Sequence, residues 1–158
     1  MNIKFNSSVL FVTSIEKSKQ FYSETLGQEV LHNFGACIIL KCGISLWQIT
    51  DNHVIAQKSD VSKVNTRISG KFELCFETDT INDVFDKVKN SGITFLHPIH
   101  EEPWGQFTFR FFDPDGHLIE VGEFLETFVK RIYAENHSVE ATSAKTGVNI
   151  ETVKEMIL

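Results

Sequence analysis

The stretch "SSVLFVTSIEKSKQFYSETLGQEVLHNF", residues 7–34, has a near repeat, "ELCFETDTINDVFDKVKNSGITFLHPI", at residues 73–99. Both begin with alternating apolar residues, which is typical of a half-buried strand. A polar residue suited to capping a helix comes next, and apolar residues then recur at helical spacing. Gly27 and Gly92 follow, where a glycine commonly ends a helix. Each stretch is therefore predicted to form a strand followed by a helix.

Three further strands are predicted after each helix. They are "QEVLHNF", "ACIILKC" and "ISLWQIT" in the first copy, and "ITFLHPI", "QFTFRFF" and "HLIEVGE" in the second, with a "DPDG" turn before the last. The sequence thus predicts an α+β fold of two βαβββ modules, at about residues 5–50 and 71–124, joined by a polar linker at 51–70. A chance echo within one α+β domain is the alternative. The recurrence of strand, cap, helix and glycine in the same order favours duplication.

Composition limits the classes of function. A chain of 158 residues forms one domain or two small modules that share a core. Its net charge of −6 argues against a nucleic-acid partner and mildly favours neutral or cationic ligands. No apolar run approaches the length of a membrane span, and we expect no signal peptide. The three cysteines lack metal-binding spacing, which indicates reduced core residues in a cytoplasmic protein.

The duplicated plan resembles a known superfamily. Paired βαβββ modules, with "SIEKSKQFYSETLG" in the first and "DPDGHLIEV" in the second, are similar to the vicinal oxygen chelate superfamily. That group includes glyoxalase I, bleomycin-resistance proteins, fosfomycin-resistance enzymes and extradiol dioxygenases. The resemblance covers residues 5–124 and implies a glyoxalase/bleomycin-resistance-like domain over 1–124. It also implies a cupped mixed sheet that holds a small molecule, and a homodimer with cups near the interface.

The resemblance further implies where a divalent metal ion would bind. Enzymatic members use one inward residue from the first and last strands of each module, and these positions fall on Ser7 and Ser45, and on Glu73 and Glu120. Serine hydroxyls are poor ligands beside imidazole or carboxylate. We therefore expect a metal-free cup without a cofactor. The alternative is a metal-dependent lyase or isomerase of the glyoxalase I type, in which Glu73 and Glu120 hold the ion and act as catalytic residues.

The conspicuous side chains support a ligand site but leave alternatives open. Glu120 lies mid-strand between apolar neighbours, so it is expected to bind a ligand, meet solvent or pair with Arg110. Arg110 is expected to pair with Glu120 or with an anionic ligand. Trp47, on the face of Ser45, and Trp104, in the "EEPWGQ" loop, are either aromatic walls or core residues.

The leading hypothesis is a small-molecule-binding protein that takes an aromatic or cationic compound. Its predicted ligand-binding residues are Ser7, Ser45, Trp47, Glu73, Trp104, Arg110 and Glu120.

A helical extension is predicted over residues 125–158, packing through Phe128, Ile132 and Tyr133. The segment "SVEATSAKTGVNIETVKEMI" looks like a minimal helix-turn-helix, so a DNA-binding regulator is a third hypothesis. Residues 138–158 carry three glutamates against two lysines. This acidic balance favours a lid, or packing on the body or on a second subunit, over contact with DNA.

Overall fold

The computed structural model describes residues 3, 6–53, 56–57 and 73–158. The chain divides into two compact units: Met1–Gly70 with Asp113–His117, and Lys71–Phe112 with Leu118–Leu158. Most of the predicted linker at 51–70 lies outside the described residues. Among those that are described, no helix combines the length and apolar character needed to cross a membrane.

The first unit contains a four-stranded mixed sheet. Its strands are β1 (Ser8–Phe11), β2 (Val30–Asn33), β3 (Cys37–Leu40) and β4 (Ile44–Trp47), in the order β1-β4-β3-β2. β1 runs parallel to β4, whereas β3 is antiparallel to both β2 and β4. Helix α1 (Ile15–Gln20) follows β1 and continues as a π-helical segment, Phe21–Thr25. This is the predicted βαβββ order.

The second unit repeats that topology. Its strands are β5 (Glu73–Thr78), β6 (Phe95–Glu101), β7 (Phe107–Phe112) and β8 (Leu118–Glu123), in the order β5-β8-β7-β6. Helix α2 (Ile81–Asn90) follows β5, and β5 is parallel to β8. The two sheets have equivalent connections, so the predicted duplication and the α+β class are confirmed.

Each helix buries its predicted apolar face. In α1 and the segment after it, Ile15, Ser18, Phe21 and Tyr22 are buried. In α2, Phe85 packs edge-on against Phe109 of β7, with ring centroids 5.2 Å apart. Burial of these side chains is the main force that holds a short amphipathic helix in place.

One predicted helix cap is confirmed and the other is wrong in detail. The Ser14 hydroxyl accepts a hydrogen bond from the Lys17 N–H at 3.4 Å and so caps α1. Thr80 occupies the same position before α2, but its side chain makes no capping bond. Its hydroxyl lies 3.4 Å from Thr78 Oγ1, so it pairs with the preceding threonine and not with an N–H of the helix.

The predicted C-terminal helices are confirmed. They are α3 (Leu125–Asn136), α4 (Val139–Thr146) and α5 (Ile150–Ile157). Phe128, Val129 and Val153 form a small buried cluster between helices. Ile132 is also buried, as expected, whereas Tyr133 is only partly buried.

The expectation for the cysteines is wrong in part. All three are free thiols, but Cys42 and Cys75 are exposed and Cys37 is half-buried. Strand alternation explains Cys75, since its apolar neighbours Leu74 and Phe76 point to the opposite face of β5.

Candidate functional site

The second sheet has one apolar and one polar face. Buried residues on its apolar side include Leu74, Phe109, Phe111, Ile119 and Val121. On the other side, the strand register places Cys75 beside Glu120, Glu120 beside Arg110, and Arg110 beside His97. We call this second surface the acidic face and define it as Glu73, Cys75, His97, Glu102, Thr108, Arg110 and Glu120.

Arg110 of β7 lies at the centre of the acidic face and binds three carboxylates. Its Nε donates to Glu73 Oε2 at 3.1 Å, and its Nη1 donates to Glu102 Oε1 at 2.9 Å. Its Nη2 donates to Glu120 Oε2. The four side chains are largely buried, with exposed fractions between 11% and 32%. Three anions around one cation leave the cluster with a net charge of −2.

Two histidines and a threonine complete the network. Thr108 Oγ1 donates to Glu102 Oε1 at 3.0 Å, and His100 Nε2 lies 3.1 Å from the same oxygen. His97 Nε2 lies 3.2 Å from Arg110 Nη1, while its Nδ1 lies 2.8 Å from the Pro98 carbonyl. A guanidinium and a carbonyl fix the tautomer, so Nδ1 carries the proton and Nε2 accepts.

The charges of this network reinforce one another. Burial alone would lower the pKa of Arg110, but its hydrogen bonds to Glu102 and Glu73 outweigh burial and raise that pKa. Burial likewise opposes ionisation of Glu102, yet hydrogen bonds from Arg110 and Thr108 hold its pKa below the ordinary value. Arg110 and Glu102 are therefore both charged near neutral pH.

The residues at the implied metal site do not fit a divalent ion as they stand. Glu73, Cys75 and Glu120 offer ligand atoms within 4.8 Å of one another. The guanidinium of Arg110, which does not lose its proton in proteins, already binds both carboxylates. Partial burial and the charge of Glu73 also raise the pKa of the Cys75 thiol. This disfavours the thiolate that a metal ion would need.

A loop beside the acidic face carries Trp104. The Trp104 indole N–H donates to Gln106 Oε1 at 3.1 Å, and Gln106 Nε2 donates to the Glu123 carbonyl at 2.8 Å. Gly122 leaves room for this amide, because a Cβ there would lie 2.8 Å from Gln106 Nε2. Trp104 keeps 40% of its surface exposed, so it is not a core residue.

The predicted residues of module one lie in the first unit. The Ser45 hydroxyl donates to Ser7 Oγ at 3.1 Å, so these two serines meet as their alignment with Glu120 and Glu73 predicts. Trp47 lies beside Phe11, with centroids 6.1 Å apart, and packs edge-on against His53 at 5.0 Å. These residues offer hydroxyl and aromatic groups.

The aspartates of the "DPDG" turn do more than form a turn. Asp113 is buried, and its carboxylate accepts from the backbone N–H groups of Asp115 and His117, from the Tyr22 hydroxyl at 3.0 Å and from His117 Nδ1 at 2.8 Å. Asp115 accepts from the Thr13 N–H at 2.8 Å and from the Ser18 hydroxyl at 2.9 Å. The turn is thereby bound to both ends of the α1 region.

Sequence reasoning missed Glu102 and the two histidines of the network. The sequence gives only a weak indication of where these side chains point. Bulges shift the pairing of β6 with β7 between Phe95 and His97 and between His97 and His100. Simple alternation therefore does not place these side chains. The dipeptide "LH" recurs with His32 and His97, and this repeat draws attention to His97 but does not indicate which group it contacts.

Comparison with known proteins places this geometry in context. Residues 5–126 match the family model described as a glyoxalase-like domain. Bleomycin resistance proteins of Geobacillus stearothermophilus and Staphylococcus aureus are 28% identical over 117 residues, covering 68% of this chain and 87% of theirs.

Two solved structures have a similar fold. A protein of unknown function from Agrobacterium tumefaciens is 30% identical, with a TM-score of 0.63 over 79% of this chain and 97% of its own. An integron cassette protein from V. cholerae is 29% identical, with a TM-score of 0.55 over 78% of this chain and 98% of its own.

Proposed function

Because the chain belongs to the glyoxalase-like domain family, we propose that it binds a small cationic or aromatic compound on the acidic face without a metal ion. The supporting observation is the arrangement of three carboxylates around one guanidinium. Arg110 engages one oxygen of each carboxylate in the contacts described above. A carboxylate accepts several hydrogen bonds, so each has a second oxygen to offer to a ligand donor.

The electrostatics of the face favour a cation over an anion. A net charge of −2 in a partly buried cluster attracts positive charge more strongly than it would in open water. Arg110 is already committed to three carboxylates, so an anionic ligand would have to displace one of them. Arg110 was expected to pair with Glu120 or with an anionic ligand, and these contacts support Glu120.

The names of the relatives point in the same direction. The curated relatives are called bleomycin resistance proteins, and binding of a drug is one way in which a small protein confers resistance. At 28% identity this supports a binding role.

The alternative is the metal-dependent lyase, with Glu73 and Glu120 as ligands. The proximity of Glu73, Cys75 and Glu120 favours it, since all three offer donor atoms on one patch. It requires Arg110 to release two carboxylates before an ion enters. An arginine already in that position supports the metal-free function.

The test is a calorimetric titration of metal-free bleomycin into protein stripped of metal, with EDTA in both solutions. The proposal expects saturable binding of one molecule per chain in EDTA. Because bleomycin itself chelates metal ions, metal binding is measured separately, by titrating Zn²⁺, Ni²⁺ or Mn²⁺ into the stripped protein without bleomycin. Tight binding of one such ion per chain, with no binding of bleomycin in EDTA, would favour the lyase.

The homodimer implied by the family also remains a proposal. A sedimentation mass near twice the 18.0 kDa of the chain would support it. The expected contribution of Ser7, Ser45 and Trp47 to ligand binding stays a prediction as well.

A further inference from the structure

Helix α3 contacts the Trp104 loop from outside the family domain. The family match ends at residue 126, and Arg131 lies one turn beyond that point. Its Nη2 donates to the Gly105 carbonyl at 2.6 Å and to Glu123 Oε2 at 2.7 Å. The guanidinium also stacks over the Phe107 ring, 4.2 Å from its centroid. One side chain therefore ties the extension to the loop, to β8 and to the first residue of β7.

The loop itself is a tight turn with little freedom. The Glu102 N–H donates to the Gln106 carbonyl, and the Gly105 N–H donates to the Glu102 carbonyl, both at 2.8 Å. Gly105 adopts a φ of +97°, which disfavours any residue with a side chain. A Cβ at this position would lie 2.9 Å from Ile132 Cδ1. Helix α3 thus packs directly on the backbone of the turn.

The start of the loop belongs to the proposed ligand site, and its end is bonded to β8. Glu102, at its start, binds Arg110 and Thr108 of the acidic face. Trp104 and Gln106, at its tip and end, are joined to each other and to the Glu123 carbonyl. The Glu123 side chain, only 8% exposed, accepts from Arg131 and from the Phe107 N–H at 2.8 Å. A continuous set of hydrogen bonds therefore runs from α3 to Arg110.

We propose that the C-terminal extension positions Trp104 as the aromatic wall of the ligand site, with Arg131 as the positioning residue. The inference rests on the proposed function and names the ligand class further, as a cation that also carries a flat aromatic group. Trp104 supplies a stacking surface and the acidic face supplies the charge. Holding an exposed indole in place beforehand reduces the entropy lost on binding, and so raises affinity.

The first test reads the loop without any ligand. Trp104 is the sole tryptophan in a Trp47→Phe background, because the chain has two. Arg131→Met in that background should lower the fluorescence anisotropy of Trp104 and raise its quenching by acrylamide. Lys130→Met is the matched control, since Lys130 is exposed on the same helix and pairs with Glu126. Equal anisotropy and quenching in the two variants would overturn the inference.

A second variant guards against a general loss of structure. Gly105→Ala leaves Arg131 and Glu123 unchanged but brings a Cβ against Ile132. It should shift the Trp104 signal in the same direction as Arg131→Met, at temperatures where circular dichroism shows both variants folded. A folded Gly105→Ala protein with the parent's Trp104 signal would contradict the role of α3.

Measuring the affinity for bleomycin separates this inference from the proposed function. With both tryptophans present, Arg131→Met should weaken metal-free bleomycin by about two- to tenfold, the range for one aromatic contact. Lys130→Met should have no effect. Absence of bleomycin binding by the wild type would contradict the proposed function, while the fluorescence result still decides whether α3 holds the loop. Wild-type binding with unchanged affinity in Arg131→Met would overturn the positioning role alone.

Discussion

At the scale of single residues, Arg110 determines the chemistry of the acidic face. Its neighbours Phe109 and Phe111 are fully buried on the opposite side of β7, which fixes the direction in which the guanidinium points. A planar group with five N–H donors can serve three carboxylates at once, as Arg110 does here. A lysine at the same place would offer a point charge without that geometry.

Replacing Arg110 with methionine should therefore destabilise the protein. Removing one partner of a buried ion network commonly costs about 3–5 kcal/mol, because the remaining charges lack compensation. In the wild type the pKa of Glu102 is lowered. Its contribution to stability is thus present above its unfolded pKa of about 4.3 and is lost as pH falls through the folded value.

The Arg110→Met variant should show the opposite trend. Three mutually repelling carboxylates gain stability as they take up protons, so the melting temperature should rise as pH falls from 8 towards 5. Lys154→Met, which removes an exposed cation paired with Glu151, is the control. A loss of stability no greater than the control's would refute the central position given to Arg110.

The same variant provides a test of the metal argument. In this variant no guanidinium occupies the patch on which Glu73, Cys75 and Glu120 offer their ligand atoms, so a metal ion can enter. Equilibrium dialysis should show that Arg110→Met binds Mn²⁺ or Zn²⁺ more tightly than the wild type does. If the wild type binds the metal ion more tightly than Arg110→Met does, Arg110 does not occupy the position of a metal ion.

At the scale of elements, the turn Asp113–His117 contributes more than a reversal of the chain. Asp115 receives hydrogen bonds at the start of α1, and Asp113 receives one from Tyr22 in the segment that follows. "DPDG" predicts the turn from its residue types, because aspartate and glycine suit turn geometry. The partners of its carboxylates lie about 100 positions away, so local sequence preference carries no signal for them.

Stability should depend on pH through His117. Burial lowers the pKa of this imidazole, but its hydrogen bond to Asp113 and the charges of Asp113 and Asp115 outweigh burial and raise it. Tyr22, the other titratable partner, stays neutral because burial raises its pKa far above the physiological range. His117 therefore contributes stability that is fully present below its unfolded pKa of about 6.5 and is lost as pH rises through the folded value.

The measurement compares melting temperatures of the wild type and His117→Gln between pH 5.5 and pH 9. The wild type should melt at the higher temperature at acidic pH, and this difference should shrink as pH rises. Each kcal/mol of lost stability corresponds to roughly 2–4 °C. His32→Gln, at an exposed position in β2, should show no such trend. A difference that is constant or grows with pH would contradict the proposed ion pair.

The C-terminal helices show how far motif resemblance extends. Gly147 ends α4 in the left-handed conformation and the Asn149 side chain caps α5, so the helix-turn-helix pattern correctly predicts local structure. In the structure Lys145 pairs with Glu101 and Lys154 pairs with Glu151. The expectation that the tail does not bind DNA stays a prediction.

At the scale of the whole molecule, the fold was the more predictable part. Both βαβββ modules and all three terminal helices follow from periodicity, caps and glycines, which are local properties of the chain. The site was less predictable because it depends on register. Strand alternation predicts that Glu120 and Arg110 share a face, and the family resemblance implies Glu73. Glu102, His97 and Arg131 instead reach their partners through bulges, a loop and a separate helix.

The most direct test of the central claim is the effect of Glu120→Gln on affinity and on stability, measured together. An amide still accepts a hydrogen bond from Arg110, so the fold should be kept. Affinity for metal-free bleomycin should fall by about 10- to 150-fold, which corresponds to the 1.5–3 kcal/mol of a hydrogen bond to a charged group. Glu155→Gln, an equal loss of charge at an exposed site in α5, should leave both quantities unchanged. Unchanged affinity together with a large fall in melting temperature would show that Glu120 serves Arg110 and not a ligand.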